Sequence, residues 1–306
     1  MQHPAECTPR QRVVFVIRAA LMISAALLIG VPFLLGGVFA LTLTAPGCVS
    51  GADPAAFGLP YEDIRFPLSE FNVDTDAYFI PADAGTNSDG RTVIAVPTGS
   101  AARGSRIDEI AVYQRAGFHV LTYSARGCVA PVTNSLGYLE VDAVGDALNY
   151  LSGRADVGQV GIHGFSMGGA TAIMAAAQYP QIAAVVAQGG YHDFPAQVET
   201  NAPAHLPLGF GTLFRWGVGV GYRLSVGHDW SVLKPIAVID SIDSPVLLLY
   251  GTNEPGLEGA RLMQAGGGSN VKLWEIPGAV HGNYLSTAPE QYERRIAGFM
   301  NAALGR

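Results

Sequence analysis

Gly164-Phe165-Ser166-Met167-Gly168-Gly169 is the stretch that decides the fold of this chain. It follows the apolar run Val160–His163 and leads into Ala170–Ala177, whose small residues are typical of a helix. A serine between glycines at a strand-to-helix turn is the layout of a nucleophile elbow. The helix behind such a turn directs its positive dipole end and its unpaired N–H groups at the serine. The pattern predicts Ser166 as a nucleophile; the alternative is a turn serine that only caps a helix.

A nucleophilic serine needs a base, and the base needs an orienting carboxylate. In this architecture the order along the chain is serine, acid, histidine. The apolar run Pro245–Tyr250 predicts a buried parallel strand, and the loop after it carries a single acid, Glu254. A helix near Leu257–Gln264 and a strand near Val271–Ile276 are expected next, and the loop after that strand carries His281. The sequence therefore predicts Ser166, Glu254 and His281 as a catalytic triad.

With these residues in this order, the sequence resembles the α/β-hydrolase superfamily, in its serine aminopeptidase and monoacylglycerol-lipase-like branch. Within that branch it is similar to small bacterial membrane-anchored hydrolases, from about Leu59 to the C-terminus. The acid loop of such proteins usually reads Gly-Thr-x-Asp, so the resemblance places the triad acid on Glu254. It also implies an α/β fold with a mostly parallel central sheet flanked by helices, a small cap insertion and an N-terminal transmembrane helix.

Two further turns carry the resemblance. The family has a His-Gly pair after an early strand, and Thr98-Gly99 follows the predicted strand Thr92–Val96 here. In relatives that histidine mainly braces the loop, whereas backbone N–H groups hold the oxyanion. The oxyanion hole is therefore expected from the N–H groups of Met167 and Ser100. Arg126-Gly127 resembles the family's Arg-Gly turn, which is a structural feature.

The first fifty residues indicate where this chemistry takes place. No charged residue lies between Arg18 and Asp53, and the apolar stretch exceeds the ~20 residues that span a bilayer. Arginines flank it on the N-terminal side, which predicts that this end stays in the cytoplasm. A signal peptide cleaved near Ser50–Ala52 and a buried core helix are the alternatives, but a signal peptide's apolar region spans only ~7–15 residues. The predicted organisation is a cytoplasmic N-terminus at 1–18, a transmembrane anchor at 19–44, a linker at 45–58 and a hydrolase domain at 59–306.

Composition narrows the class of protein. The net charge is −7 and the sequence has no basic cluster beyond the anchor's flank, which argues against nucleic-acid binding. Neither a metal-ligand spacing nor a phosphate or dinucleotide motif is present, so no cofactor is implied. Cys48 and Cys128 would both lie in an oxidising compartment, where a disulfide bond between them and two free thiols are both open.

Beyond the elbow, short apolar runs alternate with helical segments, which predicts βαβ units and a parallel sheet. The Asn-, Asp- and Gly-rich segment Ala84–Gly90 is expected to form a hairpin loop between Ala77–Pro81 and Thr92–Val96, as outer strands of the sheet. An insertion at about 191–241, rich in apolar residues and glycines, occupies the position of a cap. The further elements expected are helices near Ile107–Ala116, Leu139–Leu151, Met167–Gln178 and Pro289–Ala303, and strands at Phe118–Tyr123, Val160–Gly164 and Ala183–Ala187.

Two residues compete with the predicted triad. Asp193 follows the strand after the elbow helix, where some α/β hydrolases place their acid, and is the main rival to Glu254. His163 lies on the strand before the elbow and is expected to be a core histidine rather than a catalyst.

The function expected from the sequence is that of a membrane-anchored serine hydrolase of carboxylic esters, without a metal or organic cofactor. Its substrate would be a small-molecule or lipid ester, and its location the cell membrane, single-pass, with the catalytic domain outside the cytoplasm. An envelope acyltransferase, a peptidase on the same triad and a catalytically silent membrane-bound scaffold are the alternatives. The oligomeric state is left open.

Overall fold

The computed structural model describes residues 9–86, 89–201 and 209–305. Its centre is one sheet of eight strands, most of them continuous apolar runs that are buried on both faces. The strands are β1 Glu62–Leu68, β2 Val73–Ile80, β3 Thr92–Val96, β4 His119–Tyr123, β5 Val160–Phe165, β6 Ile182–Gln188, β7 Val246–Gly251 and β8 Val271–Ile276.

The order across the sheet is β1-β2-β4-β3-β5-β6-β7-β8. Strands β3 to β8 run parallel, whereas β2 pairs antiparallel with both β1 and β4. In an open parallel sheet, ligands bind beyond the carboxyl ends of the strands. The loops after β3, β5, β7 and β8 all open at that edge, which brings distant parts of the chain together.

The helices cover both faces of the sheet. Side chains of α2 and α10 pack on one face and those of α4, α5 and α8 on the other, which gives two apolar layers. The helices are α1 Pro9–Leu43, α2 Ile107–Arg115, α3 Arg126–Val129, α4 Glu140–Ser152, α5 Met167–Gln178, α6 Phe194–Asn201, α7 Phe210–Val226, α8 Leu257–Gly266, α9 Tyr284–Thr287 and α10 Pro289–Leu304.

The expected hairpin between β2 and β3 is wrong. Strand β4 lies between the two, pairing antiparallel with β2 and parallel with β3, so neither is bonded to the other. Strand β3 is also not an outer strand, because it lies fourth of eight in the sheet and four of its five residues are buried. The polar loop at 84–90 only returns the chain to the start of β3; within it, Asn87 and Ser88 lie outside the described residues.

The segment between α1 and the sheet is attached to the domain. Cys48 forms a disulfide bond with Cys128, which closes a separation of 80 residues. Val49 pairs with Ala101 in an isolated parallel bridge, and Asp53 caps a short 3-10 helix at Pro54–Phe57. Closing a loop of this length lowers the entropy of the unfolded chain and stabilises the fold by about 4.5 kcal/mol.

A second compact unit is formed by Met1–Thr42 and Val198–Asp229, of which the structure describes α1, the end of α6 and α7. Helix α1 has 35 residues with a mean hydropathy of 2.4 in its most apolar window, and none of that window is buried. It is long and apolar enough to cross a membrane. Helix α7 is part of the chain inserted between β6 and β7.

Candidate active site

The elbow around Ser166 has the backbone geometry that its sequence indicates. Strand β5 ends at Phe165, α5 begins at Met167, and Ser166 between them has φ 55° and ψ −123°. A non-glycine residue in this region costs about 1–3 kcal/mol and is held only by its surroundings. Gly164 is required, because a Cβ there would lie 2.0 Å from the carbonyl oxygen of Gly168. The serine hydroxyl is thus raised at the tip of the turn.

The structure brings the three predicted triad residues together. Nε2 of His281 lies 3.1 Å from Oγ of Ser166, and Nδ1 of His281 lies 2.8 Å from Oε1 of Glu254. These residues are 115 and 27 positions apart along the chain. The loops after β5, β7 and β8 therefore assemble one continuous line of hydrogen-bonding groups, from hydroxyl through imidazole to carboxylate.

The carboxylate of Glu254 is buried and held from two further directions. The hydroxyl of Tyr284 donates to Oε2 at 2.7 Å, and the N–H of Gly251 donates to the same oxygen at 2.9 Å. The glutamate side chain is 3% exposed, whereas that of His281 is 46% exposed. Burial, together with the charge of Glu254, raises the pKa of Tyr284, so its hydroxyl keeps its proton and acts as a donor. Three donors fix the oxygen atoms of this carboxylate.

Gly189 provides the space in which His281 and Tyr284 lie. Its φ is +63°, and a Cβ there would lie 2.4 Å from the Tyr284 hydroxyl and 2.9 Å from Nδ1 of His281. Its N–H donates to the carbonyl of Leu249, which joins the end of β6 to β7. A glycine at this position is therefore a requirement of the site and not only of the turn.

Contacts among an arginine, an aromatic ring and the imidazole brace the histidine loop. The guanidinium of Arg106 lies over the ring of Phe165 at 4.1 Å, and that ring lies 4.7 Å from the imidazole of His281. Arg106 also donates to the carbonyl of Gly282 at 3.0 Å and forms an ion pair with the buried Glu109. The residue immediately before the serine and the residue immediately after the histidine are thus held by one side chain.

Beneath the elbow lies a buried polar cluster. Gln188 donates from Nε2 to Glu109 at 2.5 Å and accepts at Oε1 from Tyr292 at 3.0 Å, while its backbone carbonyl accepts from the N–H of Ser166 at 2.7 Å. Burial raises the pKa of Glu109, against the opposing effect of Arg106. His163 is 5% exposed, and burial with the nearby Arg106 charge lowers its pKa to about 3, which keeps it neutral in the core.

The loop proposed to complete the oxyanion hole lies beside the elbow. A Cβ on Gly168 would lie 2.9 Å from the carbonyl oxygen of Val96 and 3.0 Å from that of Pro97, so the start of α5 touches the end of β3. Ser100 follows in this loop, and its carbonyl accepts from the N–H of Val49. Met167, the other predicted donor, is the first residue of α5, where helical N–H groups are free of intrahelical partners.

The rival acid is directed elsewhere. The carboxylate of Asp193 lies 2.8 Å from Nζ of Lys234 and accepts from the N–H of Ala196 at 3.0 Å, so it starts α6 and binds a lysine. Sequence reasoning missed Tyr284, Gly189, Arg106 and Gln188. Tyr284 is three positions after His281, and this proximity was the one signal available for it.

The comparisons with known proteins agree with this architecture. A family model described as the alpha/beta hydrolase fold matches residues 91–228. The Pyrococcus furiosus esterase Pf2001 is similar at a TM-score of 0.68 and 20% identity, covering 86% of this chain and 99% of that one. The 2,6-dihydroxy-pseudo-oxynicotine hydrolase is similar at a TM-score of 0.63 and 14% identity, covering 81% of this chain and 69% of that one. The Pyrococcus horikoshii acylaminoacyl peptidase is similar at a TM-score of 0.62 and 14% identity, covering 80% of this chain and 42% of that one.

No sequence among the curated proteins matches significantly. At these identities the solved structures establish the fold, and the family match covers the segment that contains the elbow. Together with the strand order and the strand-to-helix turn at Ser166, they show that the chain has the α/β-hydrolase fold.

Proposed function

We propose that this protein is a membrane-anchored serine hydrolase that cleaves carboxylic esters through an acyl-enzyme on Ser166. The observation that carries the proposal is the line of contacts from Ser166 Oγ to His281 Nε2, and from His281 Nδ1 to the buried Glu254 carboxylate. A serine beside a histidine that is itself held by a carboxylate is the arrangement that activates a hydroxyl at neutral pH.

The reaction follows from this geometry. His281 takes the proton of Ser166 through Nε2 while Oγ attacks the ester carbonyl carbon, and Glu254 stabilises the imidazolium that forms. The N–H groups of Met167 and Ser100 would hold the oxyanion. As the tetrahedral intermediate collapses, the bond to the leaving alkoxide breaks, and His281 returns the proton to that oxygen. A water molecule, deprotonated by the same imidazole, then attacks the acyl carbon; the bond from that carbon to Ser166 Oγ breaks, His281 returns the proton to Oγ, and the acid is released.

Two features support an extracytoplasmic catalytic domain. Helix α1 carries Arg10, Arg12 and Arg18 at its beginning and no charge afterwards, which favours a cytoplasmic N-terminus. The bond between Cys48 and Cys128 is of a kind that persists in oxidising compartments and is rare in the cytoplasm. With the anchor before Cys48, the hydrolase domain would lie on the outer side of the cell membrane.

The decisive experiment is labelling of the full-length, detergent-solubilised protein with a fluorophosphonate, followed by hydrolysis of p-nitrophenyl esters of graded acyl length. Wild type should be labelled and active. Ser166→Ala should lose both while keeping its melting temperature, and Ser152→Ala, on the exposed end of α4, is the matched control that should lose neither. Undiminished labelling of a folded Ser166→Ala protein would exclude this nucleophile.

The same assay separates hydrolysis from acyl transfer. With a long-chain alcohol added, a hydrolase releases the free acid, whereas an acyltransferase forms the new ester at the expense of the acid. Ester formation as the main product would replace the proposed reaction by the transfer of the acyl group.

The membrane topology of the protein can be tested separately. A phosphatase that works only outside the cytoplasm should be active when fused to the C-terminus, and carbonate washing should leave the protein in the membrane fraction. Release of a mature chain that begins near Asp53 would show a secreted protein instead.

A further inference from the structure

Helix α7 has three distinct faces. Residues three and four positions apart share one side of a helix, and on one side Gly217, Val218, Gly221 and Tyr222 are buried. On a second side Trp216, Val220 and Leu224, each four residues apart, are 62%, 45% and 80% exposed. Arg223 and Arg215, of which Arg215 forms an ion pair with Glu199, lie on the third side. A helix with a Trp- and Leu-bearing face beside an arginine-bearing face has the pattern of an interfacial membrane helix.

The buried side of α7 packs directly on α1, within the second compact unit. A Cβ on Gly36 would lie 2.0 Å from the carbonyl oxygen of Phe214, and a Cβ on Gly217 would lie 1.9 Å from that of Phe33. Gly221 is equally constrained, because its Cβ would lie 2.7 Å from the carbonyl oxygen of Gly37. Contact of two backbones through small residues four positions apart is characteristic of helix pairs inside membranes.

The position of this contact along α1 sets its depth. The uncharged part of α1 begins at Ala19, and a 30 Å hydrocarbon layer takes up about 20 residues of helix, to about residue 38. The residues of α1 that touch α7 lie between Phe33 and Ala40. If α1 spans the bilayer with its N-terminus in the cytoplasm, the contact lies in the outer leaflet, from the acyl chains to the headgroup boundary.

We infer that α7 is embedded in the outer leaflet against α1, with Trp216 among the lipid acyl chains and with Val220 and Leu224 toward the headgroup boundary. This inference rests on the proposed membrane anchoring. Lipid is the occupant of this face because the face continues the apolar surface of α1 at the same level, where Leu34, Val38 and Leu41 are also exposed. Arg223, which is exposed, can reach the headgroups, as arginine side chains do at membrane interfaces. The protein thus has two elements in the membrane, one that crosses it and one that lies in it.

Depth-dependent quenching of Trp216 tests the inference. The full-length protein is reconstituted into phosphatidylcholine–phosphatidylglycerol vesicles as a single-tryptophan variant, with Trp230→Phe and Trp274→Phe. Lipids with a nitroxide on the acyl chain should quench Trp216 several-fold more than aqueous iodide does. The control variant keeps only Trp274, which is 4% exposed in the sheet domain, and both quenchers should act weakly on it. Fluorophosphonate labelling verifies that both variants are folded.

A matched pair of substitutions tests the contact with α1. Gly217→Ala places a methyl group against the carbonyl of Phe33, whereas Gly30→Ala on α1 has no atom within 4 Å of the new Cβ. Alanine favours helix in both cases. Gly217→Ala should therefore reduce the quenching of Trp216 by acyl-chain nitroxides, and Gly30→Ala should leave it unchanged.

Each outcome decides the question. Quenching by iodide without quenching by lipid places the face in water, and shielding from both quenchers means that protein, such as a second copy of the chain, covers it; either result overturns the inference. Carbonate washing separates this failure from that of the proposed anchor. A chain that stays in the membrane without lipid quenching of Trp216 refutes only the role of α7, whereas a chain that is released refutes the anchor and the role of α7 with it.

Discussion

The hydroxyl of Tyr284 donates a hydrogen bond of 2.7 Å to Oε2 of Glu254, the oxygen that does not face His281. The carboxylate proposed to orient the histidine is therefore itself oriented, from a side chain three positions after that histidine. A hydrogen bond to a charged group contributes about 1.5–3 kcal/mol. The orientation of the imidazole thus depends on Tyr284, although Tyr284 is not one of the three residues in the line from serine through histidine to glutamate.

Tyr284→Phe removes this hydroxyl and keeps the ring. We expect kcat for a p-nitrophenyl ester to fall about 10-fold, because the carboxylate loses one of its donors and about 1.4 kcal/mol of positioning. Tyr61→Phe removes the hydroxyl of a tyrosine outside the site and is the matched control. Equal kcat values for the two variants would show that Gly251 and His281 suffice to hold Glu254.

Glu254→Gln keeps the shape of the side chain and removes its charge. By analogy with the serine-protease triad, we expect kcat to fall by about 10⁴-fold, since the imidazolium loses its counter-charge. Glu254→Asp should retain more activity, because the carboxylate remains, although its reach is shorter.

Asp193→Asn is the comparison for this ranking. It weakens an ion pair with Lys234 and the start of α6, so it should change kcat only a few-fold. Steady-state kinetics on folded variants decide between the two acids. A larger loss in Asp193→Asn than in Glu254→Gln would assign the acid to the loop after β6.

Gly189→Ala should separate activity from stability. Its new methyl group would overlap the Tyr284 hydroxyl and the imidazole of His281. Displacement of the histidine by about 1 Å is expected to lower kcat about 10²-fold. Gly58→Ala is the control, because Gly58 has a similar φ of +67° but open space around its Cβ.

Both alanine variants should lose about 1–2 kcal/mol of unfolding free energy from the left-handed backbone conformation. Kinetics and denaturant unfolding measure the two effects separately. If Gly189→Ala were as active as Gly58→Ala, the site would tolerate displacement of its histidine, and the role assigned to Gly189 would be wrong.

His163 should make the stability of the protein depend on pH. Burial lowers its pKa to about 3, from about 6.5 in the unfolded chain. Between these values the unfolded chain binds a proton that the folded one does not, so stability falls as the pH falls below 6.5. From pH 7 to pH 5 the loss amounts to about 2 kcal/mol for this group.

His163→Asn removes this contribution and leaves those of the other histidines. The difference in unfolding free energy between wild type and variant should therefore shrink toward pH 5, as measured by urea unfolding at several pH values. A difference that stays constant with pH would mean that His163 is already charged in the folded protein, or solvated.

Much of the sheet could be predicted because its inner strands are uniform apolar runs. Thr92–Val96 and Val271–Ile276 begin and end where the sequence indicates, and helix α5 does too. Strand β1, Glu62–Leu68, was missed because it alternates charged and apolar residues at the sheet edge and contains Pro67. The pairing of β2 could not be predicted, because a polar loop indicates a turn but not which strand enters the space beside it.

The residues of the site likewise fall into those that the sequence predicts and those that it does not. Ser166, Glu254 and His281 follow predicted strands, so the topology of a parallel sheet indicates that their loops meet. Arg106 and Gln188 could not be assigned, because one immediately precedes α2 and the other ends β6, and only the folded chain brings their side chains under the elbow. Distances between side chains on different elements depend on packing, which no local pattern encodes.

The position of β4 between β2 and β3 has a consequence for the order in which the chain acquires structure. When the chain emerges with its N-terminus first, β2 and β3 are exposed before β4. Both strands require β4 as a partner. Cys48 likewise cannot form its disulfide bond until Cys128 has emerged, and Cys128 follows β4 by only a few residues. Oxidation of Cys48 to its native partner is thus restricted to a chain that already contains its first four strands. The disulfide would then lock that part of the sheet before the elbow and the triad loops have formed, and pairing between distant segments such as these is slow.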